Sequence, residues 1–527
     1  MMAKDYTLSA SMNRGYRGRR AFLATTLKAA GGFAYSAAFL RQAAARPGIP
    51  YGVSSGDVTR DRAIIWSRTD RPARMLVEWS TTESFQNAHR VRGPSTAEPS
   101  GFTARVDLAG LPPDQRIFYR VQFEDLAEPR GLSVPHSGSF LSARATARDV
   151  TLAWSADTVG QGWGINPEFG GMRMYETIRR AQPDVFIHCG DTIYADSPVP
   201  DQIPLPDGTV WKNLTTPEKS KVAETLDEFR GNYVYNLLDD NVRRFNAEIS
   251  QVWLWDDHEV KNNWFPGMSL ADDDRYTEKD IHVLARNARR AFLEYSPIRL
   301  TSGPIPPIYR SIAYGPLVDV FALDLRTYRA PNSANNQPVH GAGTVHAGAH
   351  QIVWLKHALR SSSALWKVIA CDLPIGLVVR DGDTRFEAIA NADAGGPLGR
   401  EHEIADLLRF MRQQRIPNVV WITGDVHYAA AHYYDPERAR FKDFDPFWEF
   451  VAGPLNAGTF GPNELDGTFG PELRFSAVPP GSRPNRPPSD GLQFFGLLKI
   501  SGKSRVMTVE LRNLAGDLIY TIDLDPR

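Results

Sequence analysis

The chain has 527 residues, with 60 Lys+Arg against 61 Asp+Glu, two cysteines and 42% hydrophobic residues. That length exceeds one ordinary core. The even charge gives no reason to expect specific nucleic-acid binding, and two cysteines exclude a disulfide-stapled scaffold or a thiolate-rich zinc module. In chain order, the first 45 residues stand apart. They hold Lys4, Arg14, Arg17, Arg19, Arg20, Lys28 and Arg41 against Asp5, a net +6, so the remainder carries −7.

Arg19-Arg20, Ala21-Phe22-Leu23, a mildly apolar run from Ala24 to Leu40 and Ala43-Ala44-Ala45 follow one another. This order resembles a twin-arginine export signal with a small-residue cleavage site. It implies passage through the twin-arginine translocase and a periplasmic or extracellular location. That route carries folded proteins.

From residue 46 to 146 the pattern predicts a small antiparallel β-sandwich. Ala63–Trp66, Met75–Trp79, Phe102–Val106 and Arg116–Phe123 are short β-rich runs separated by turn residues. Leu108 to Pro113, followed by Tyr119, resembles the corner of a fibronectin-like sandwich, where a tyrosine ties down the turn. From 147 to 527 the rhythm changes to strand, loop and helix. Strands are predicted at Val150–Trp154, Asp184–His188, Ser250–Trp255, Val318–Leu323, Trp366–Ala370 and Val419–Ile422. Helices are predicted over 171–182, 221–247, 282–295 and 348–361. Residues 196–220 read as a surface insertion, 452–492 as Gly/Pro-rich with few periodic features, and 494–525 as closing strands.

Several strands end in carboxylates: Asp157, Asp191, Asp256-Asp257-His258-Glu259, Asp324, Asp372 and Asp425-Val426-His427. Loops after the carboxyl ends of strands line the active crevice of α/β proteins. Clustered carboxylates repel one another unless something positive sits among them, and hard metal ions suit oxygen ligands.

Gly190-Asp191-Thr192-Ile193-Tyr194, Trp255-Asp256-Asp257-His258-Glu259 and Gly424-Asp425-Val426-His427 resemble the ordered motifs of the metallophosphatases. With Gly52–Asp57, Ile65–Arg68 and Trp366–Ile369, they look like the alkaline phosphatase D (PhoD-like) family. The resemblance implies a four-layer α/β/β/α sandwich preceded by the small fibronectin/immunoglobulin-like β-sandwich. It implies hydrolysis of a phosphate mono- or diester by a metal-activated hydroxide attacking phosphorus, with His258 as acid or phosphate ligand. Asp157, Asp191, Tyr194, Asp257, Asp372, Asp425 and His427 take the metal positions, with Asp191 bridging. Tyr194 stands where the commoner pattern has a second carboxylate, and a phenolate favours Fe3+.

Many relatives place a cysteine in the first motif, where this chain has Trp154-Ser155-Ala156-Asp157, so Asp157 serves instead. Asp372 and Asp425 replace histidines of generic relatives, and an oxygen-rich second position leans toward Ca2+, Mn2+ or Mg2+. Two or more ions are expected. Asn262, Asn263 and Arg326 are candidates for substrate contact, although Arg326 also fits an ion pair with Asp324 or another acid. Cys189 and Cys371 are expected to be buried free thiols, and His340, His346 and His350 solvated loop residues. A monomer is expected. The competing reading is a non-catalytic exported protein on the same fold, holding a metal or a surface polymer.

Overall fold

The apolar runs Val150–Ser155, Val185–His188 and Ser250–Trp253 pair in parallel in the computed structural model, with Leu152 beside Val185 and Ser250 also beside Val185. Near-continuous hydrophobic strands of this kind require cover on both faces. The structure describes residues 46–127, 131–301, 303 and 305–527, so the expected export signal lies outside the described residues. Among the described residues, no helix is long and apolar enough to cross a membrane.

The three strands form the middle of a nine-stranded sheet. Phe494–Ile500, Met507–Asn513 and Leu518–Leu524 extend it on one side, and Val53–Gly56, Arg62–Arg68 and Thr103–Ala109 on the other. A seven-stranded sheet faces it, in the order Arg310–Ala313, Val318–Ala322, Trp366–Ala370, Val419–Thr423, Phe447–Val451, Ala430–Tyr434 and Pro471–Ser476.

Alternation of side chains along each strand divides the core into layers. Leu152, Val252, Val368 and Ile422 meet between the sheets. Ala153 and Phe186 face outward onto Ile178, Phe229, Phe245 and Leu284, from the helices Arg173–Arg180, Leu226–Asn236, Asp240–Glu248 and Ile281–Tyr295. Ile369 and Trp421 face outward onto Leu355 and Leu408, from Ala349–Ser361 and Glu401–Gln413. The result is the expected α/β/β/α sandwich, with the carboxyl ends of both sets of parallel strands along one edge.

Three local differences from the sequence reading have physical causes. The helix expected over 221–247 is two, because the Asp239 side chain accepts the backbone N–H of Asn241 and Val242 and starts a new helix. The Glu401–Gln413 helix and the strands at 430–434, 447–451 and 471–476 were not anticipated. Tyr119 is fully buried, but its hydroxyl makes no hydrogen bond to the 108–113 turn.

The N-terminal strands form a sandwich, and one of its sheets continues into the large sheet. His89–Ser95, Ala73–Ser80, Arg116–Asp125 and His136–Leu141 make the outer sheet. The inner strands join the large sheet where Gly56 pairs in parallel with Gln251, and Asp57 N–H donates to the Gln251 carbonyl at 3.1 Å. Asp57 also holds Arg310 at 2.7 Å, reaching the first strand of the second sheet.

Candidate functional site

Asp157, Asp191 and His427 are buried and Asp425 is half-buried, and all four have positive φ, at 67°, 54°, 63° and 64° in that order. Left-handed backbone is unfavourable for residues with a side chain and concentrates at functional sites. Here it turns each chain sharply as it leaves a strand. Gly190 makes one such turn possible: its φ is +106°, and a Cβ there would lie 2.5 Å from Asp256 Cβ.

One cluster joins Asp157, Asp191 and His427. His427 Nδ1 lies 2.6 Å from the Gly458 carbonyl and donates to it, which leaves Nε2 with its lone pair. The Tyr194 hydroxyl lies 2.9 Å from that Nε2 and 3.4 Å from Asp157 Oδ1. Burial holds His427 down at about 4, so it is neutral at pH 7. Burial, then the Asp191 and Asp157 carboxylates, push the Tyr194 phenol well above its usual range.

A second cluster joins Asp191, Asp257 and His258. Asp191 Oδ1 accepts the His258 backbone N–H at 3.2 Å. The imidazole is held on two sides. Its Nδ1 lies 2.6 Å from Asp196 Oδ1, and its ring lies against the Tyr194 ring with centroids 4.2 Å apart. Asp196 is fixed in turn by the Asn262 N–H at 2.9 Å. Burial opposes a charge on His258, but Asp196, Asp257 and Asp191 together lift it well above the usual imidazole range.

Glu259 ties the two loops together. Its carboxylate accepts the backbone N–H of Asp191, Thr192 and Asp256 at 3.2, 2.6 and 2.7 Å. Burial is also the first cause raising Asp157 and Asp191 far above ordinary carboxylates, with Asp257 adding repulsion. Asp157 Oδ2 has no hydrogen-bond partner among the described residues although it is fully buried. An orphaned buried carboxylate oxygen, a phenol and an imidazole with its lone pair directed inward form a donor set that fits hard cations.

A third cluster, Asp256, Asp257 and Asp425, has a different occupant. Arg326 is wholly buried, so it does not stand in an open substrate pocket. Nor does its guanidinium pair with Asp324, which takes the Arg326 backbone N–H instead. The guanidinium bonds Asp256, Asp372, Glu387 and Asp425. Asp372 and Asp425, expected as metal ligands, each have one oxygen engaged by Arg326.

Asn262 is exposed, and its backbone serves Asp196. Asn263 donates its side-chain amide to Asp381 at 3.0 Å and its backbone N–H to Asp257. His346 departs from the solvated loop expected of it: it is fully buried, while His340 and His350 are exposed. Cys189 and Cys371 are buried and unpaired. Sequence reasoning missed Asp196, Glu259 as a loop clamp, Glu387 and the Gly458 carbonyl. Glu259 stands within the Trp255–Glu259 motif, and Asp196 lies two residues beyond Tyr194, at the start of a stretch with the composition of a surface insertion.

A family model for the PhoD-like phosphatase matches residues 152–511, and one for the N-terminal domain of that family matches residues 34–135. The chain is 28% identical over 435 residues to alkaline phosphatase D of Bacillus subtilis (strain 168), covering 77% of this chain and 69% of that protein. It superposes on a solved structure of PhoD with a TM-score of 0.66 at 20% identity, covering 90% of this chain and 89% of that one. The purple acid phosphatase PPD1 from yellow lupin (Lupinus luteus) seeds matches with a TM-score of 0.54 at 12% identity, covering 91% and 74%.

Proposed function

The chain belongs to the PhoD-like phosphatase family and is a phosphoric ester hydrolase, and from that premise we propose a dinuclear enzyme whose two cations share Asp191. One observation carries this reading. The groups Asp157/Asp191/His427 and Asp191/Asp257/His258 each gather ligand atoms within 4.8 Å of one another, with Asp191 common to both. Asp157, Tyr194 and His427 would complete the first position and suit Fe3+. Asp257 would serve the second, with Ca2+, Mn2+ or Mg2+. Bound cations would neutralise the carboxylates, orient the phosphoryl oxygens and acidify water.

The chain's own side chains supply the rest. Asp196 holds His258 Nδ1, so Nε2 is the atom left for substrate. The Asp196 carboxylate against Nδ1 favours the protonated ring, so His258 donates from Nε2 to the departing ester oxygen, a role that typically contributes ~10²–10⁴-fold. Asn262, exposed beside it, contacts the ester group. Burial of the Asp157 side of the site excludes bulk water and strengthens each charge interaction there.

Residues 1–45 act as a twin-arginine signal, and the chain works outside the cytoplasm as a monomer. Residues 46–146 form its β-domain and 147–527 its catalytic part. Conservative replacement of Arg19 and Arg20 by lysine, followed by cell fractionation, tests export. The catalytic reading is tested with p-nitrophenyl phosphate and bis(p-nitrophenyl) phosphate, which also separates monoester from diester preference. Wild type hydrolyses one or both, metal-depleted protein neither until iron and a divalent ion return, and Asp191→Asn neither under any condition. Full activity in Asp191→Asn would sink the shared-carboxylate assignment.

A further inference from the structure

Arg326 Nη2 lies 2.5 Å from Asp256 Oδ1, 3.1 Å from Asp425 Oδ1 and 3.9 Å from Asp257 Oδ1. Those three acids are the ones whose oxygens form the third cation-compatible cluster. Hard cations need oxygen ligands at roughly 2.0–2.6 Å, and the space between Asp256 and Asp425 already holds a positively charged nitrogen. The other donors are also engaged: Nε lies 2.6 Å from Asp256 Oδ1 and 2.8 Å from Asp372 Oδ2, and Nη1 bonds Glu387.

The cage is anchored from behind. Arg400 Nη1 donates to the carbonyls of Phe386, Glu387 and Ala388 at 3.0, 2.7 and 3.2 Å, which fixes the backbone that presents Glu387. A buried charge persists only when paired. Five carboxylates within 4 Å of one guanidinium satisfy that condition on the arginine's side.

We propose that Arg326 is the resident cation of the third cluster: it keeps metal out of Asp256/Asp257/Asp425 and positions Asp257 and Asp425 beside the dinuclear site. The second half of this statement rests on the dinuclear reading; the first does not. A guanidinium keeps its charge at every working pH and cannot be chelated away. Its planar donors also hold several carboxylates in a fixed arrangement, which a mobile ion would not. Arg326 is thus a positioning residue.

The test is the metal count per chain, measured by elemental analysis after equilibration with Mn2+ and gel filtration. Arg326→Ala should bind one Mn2+ more than wild type, and Arg326→Lys should keep the wild-type count. No increment in folded Arg326→Ala, or an increment in Arg326→Lys, overturns the proposal. A wild type with no Mn2+ and an alanine variant with one would sink the dinuclear reading while supporting Arg326 as the occupant. Anomalous diffraction from Mn2+-soaked wild-type crystals decides the matter even if Arg326→Ala does not fold. No peak is expected within bonding distance of the Asp256 carboxylate, and a peak there overturns the proposal.

Discussion

Asp196 Oδ1 and His258 Nδ1 lie 2.6 Å apart, with the imidazole side chain 12% exposed and the carboxylate 5%. The contact fixes both the ring orientation and the nitrogen that faces the site. Asp196→Asn should therefore lower turnover most for esters with poor leaving groups. An alkyl phosphate is expected to lose on the order of 10²-fold, a p-nitrophenyl ester much less, because the latter needs little proton donation. Steady-state kinetics with the two substrates checks this, and an equal fall for both would contradict the role given to His258.

Asp191 is held far above the ordinary carboxylate range, first by burial and then by Asp257, Glu259 and Asp157, with His258 opposing them. Without cations its charge is a burden on the fold. Asp191→Asn should therefore melt higher than wild type when both are in chelator at neutral pH. Added Mn2+ should narrow or reverse that difference, because only wild type gains from binding. Thermal melts of both proteins, with and without metal, provide the comparison.

Glu449 offers a pH prediction away from the site. Burial raises its carboxyl to about 7, opposed by the Tyr434 hydroxyl at 2.6 Å and the Ile375 N–H at 2.7 Å. The folded state thus holds its proton more tightly than the unfolded chain. The associated stability is fully present below about 4.5 and is lost as pH rises through about 7. Glu449→Gln removes this titration and should flatten the pH dependence across that window. At pH 8 the variant should exceed wild type by up to about 3 kcal/mol, read by denaturant unfolding.

Gly190→Ala should fold poorly. The new Cβ would stand 2.5 Å from Asp256 Cβ, on backbone at φ +106°. Steric overlap and strained backbone together should cost at least about 2 kcal/mol. The displaced Asp256 would also disturb Arg326, so metal content should change along with the melting temperature. A variant with wild-type stability would contradict the tight packing seen at this turn.

The strand-end acids were legible because each follows a short apolar run directly, and topology then brings such ends together. Tyr194 and His427 were legible through their motifs. Asp196 was not, because its burial depends on the 257–263 loop folding back over it, and local composition around it is that of a surface segment. The surroundings of Arg326 come from residues 46 to 99 positions away, beyond any local pattern. The Glu401–Gln413 helix carries a local signal, Ile404, Leu407, Leu408 and Met411 on one face. The continuation of the N-terminal strands into the catalytic sheet had no signal, since register between distant strands is set by the assembled core.

That continuation bears on modularity. The strand Ser250–Trp253 has the Val185–His188 strand on one side and Val53–Gly56 on the other. A gene fragment beginning at residue 147 would encode a sheet with a raw edge, its unpaired amides open to strands of other copies. It would also leave Arg310 without Asp57. The β-domain is thus a seal as much as an appendage, and the two parts should melt in one cooperative transition.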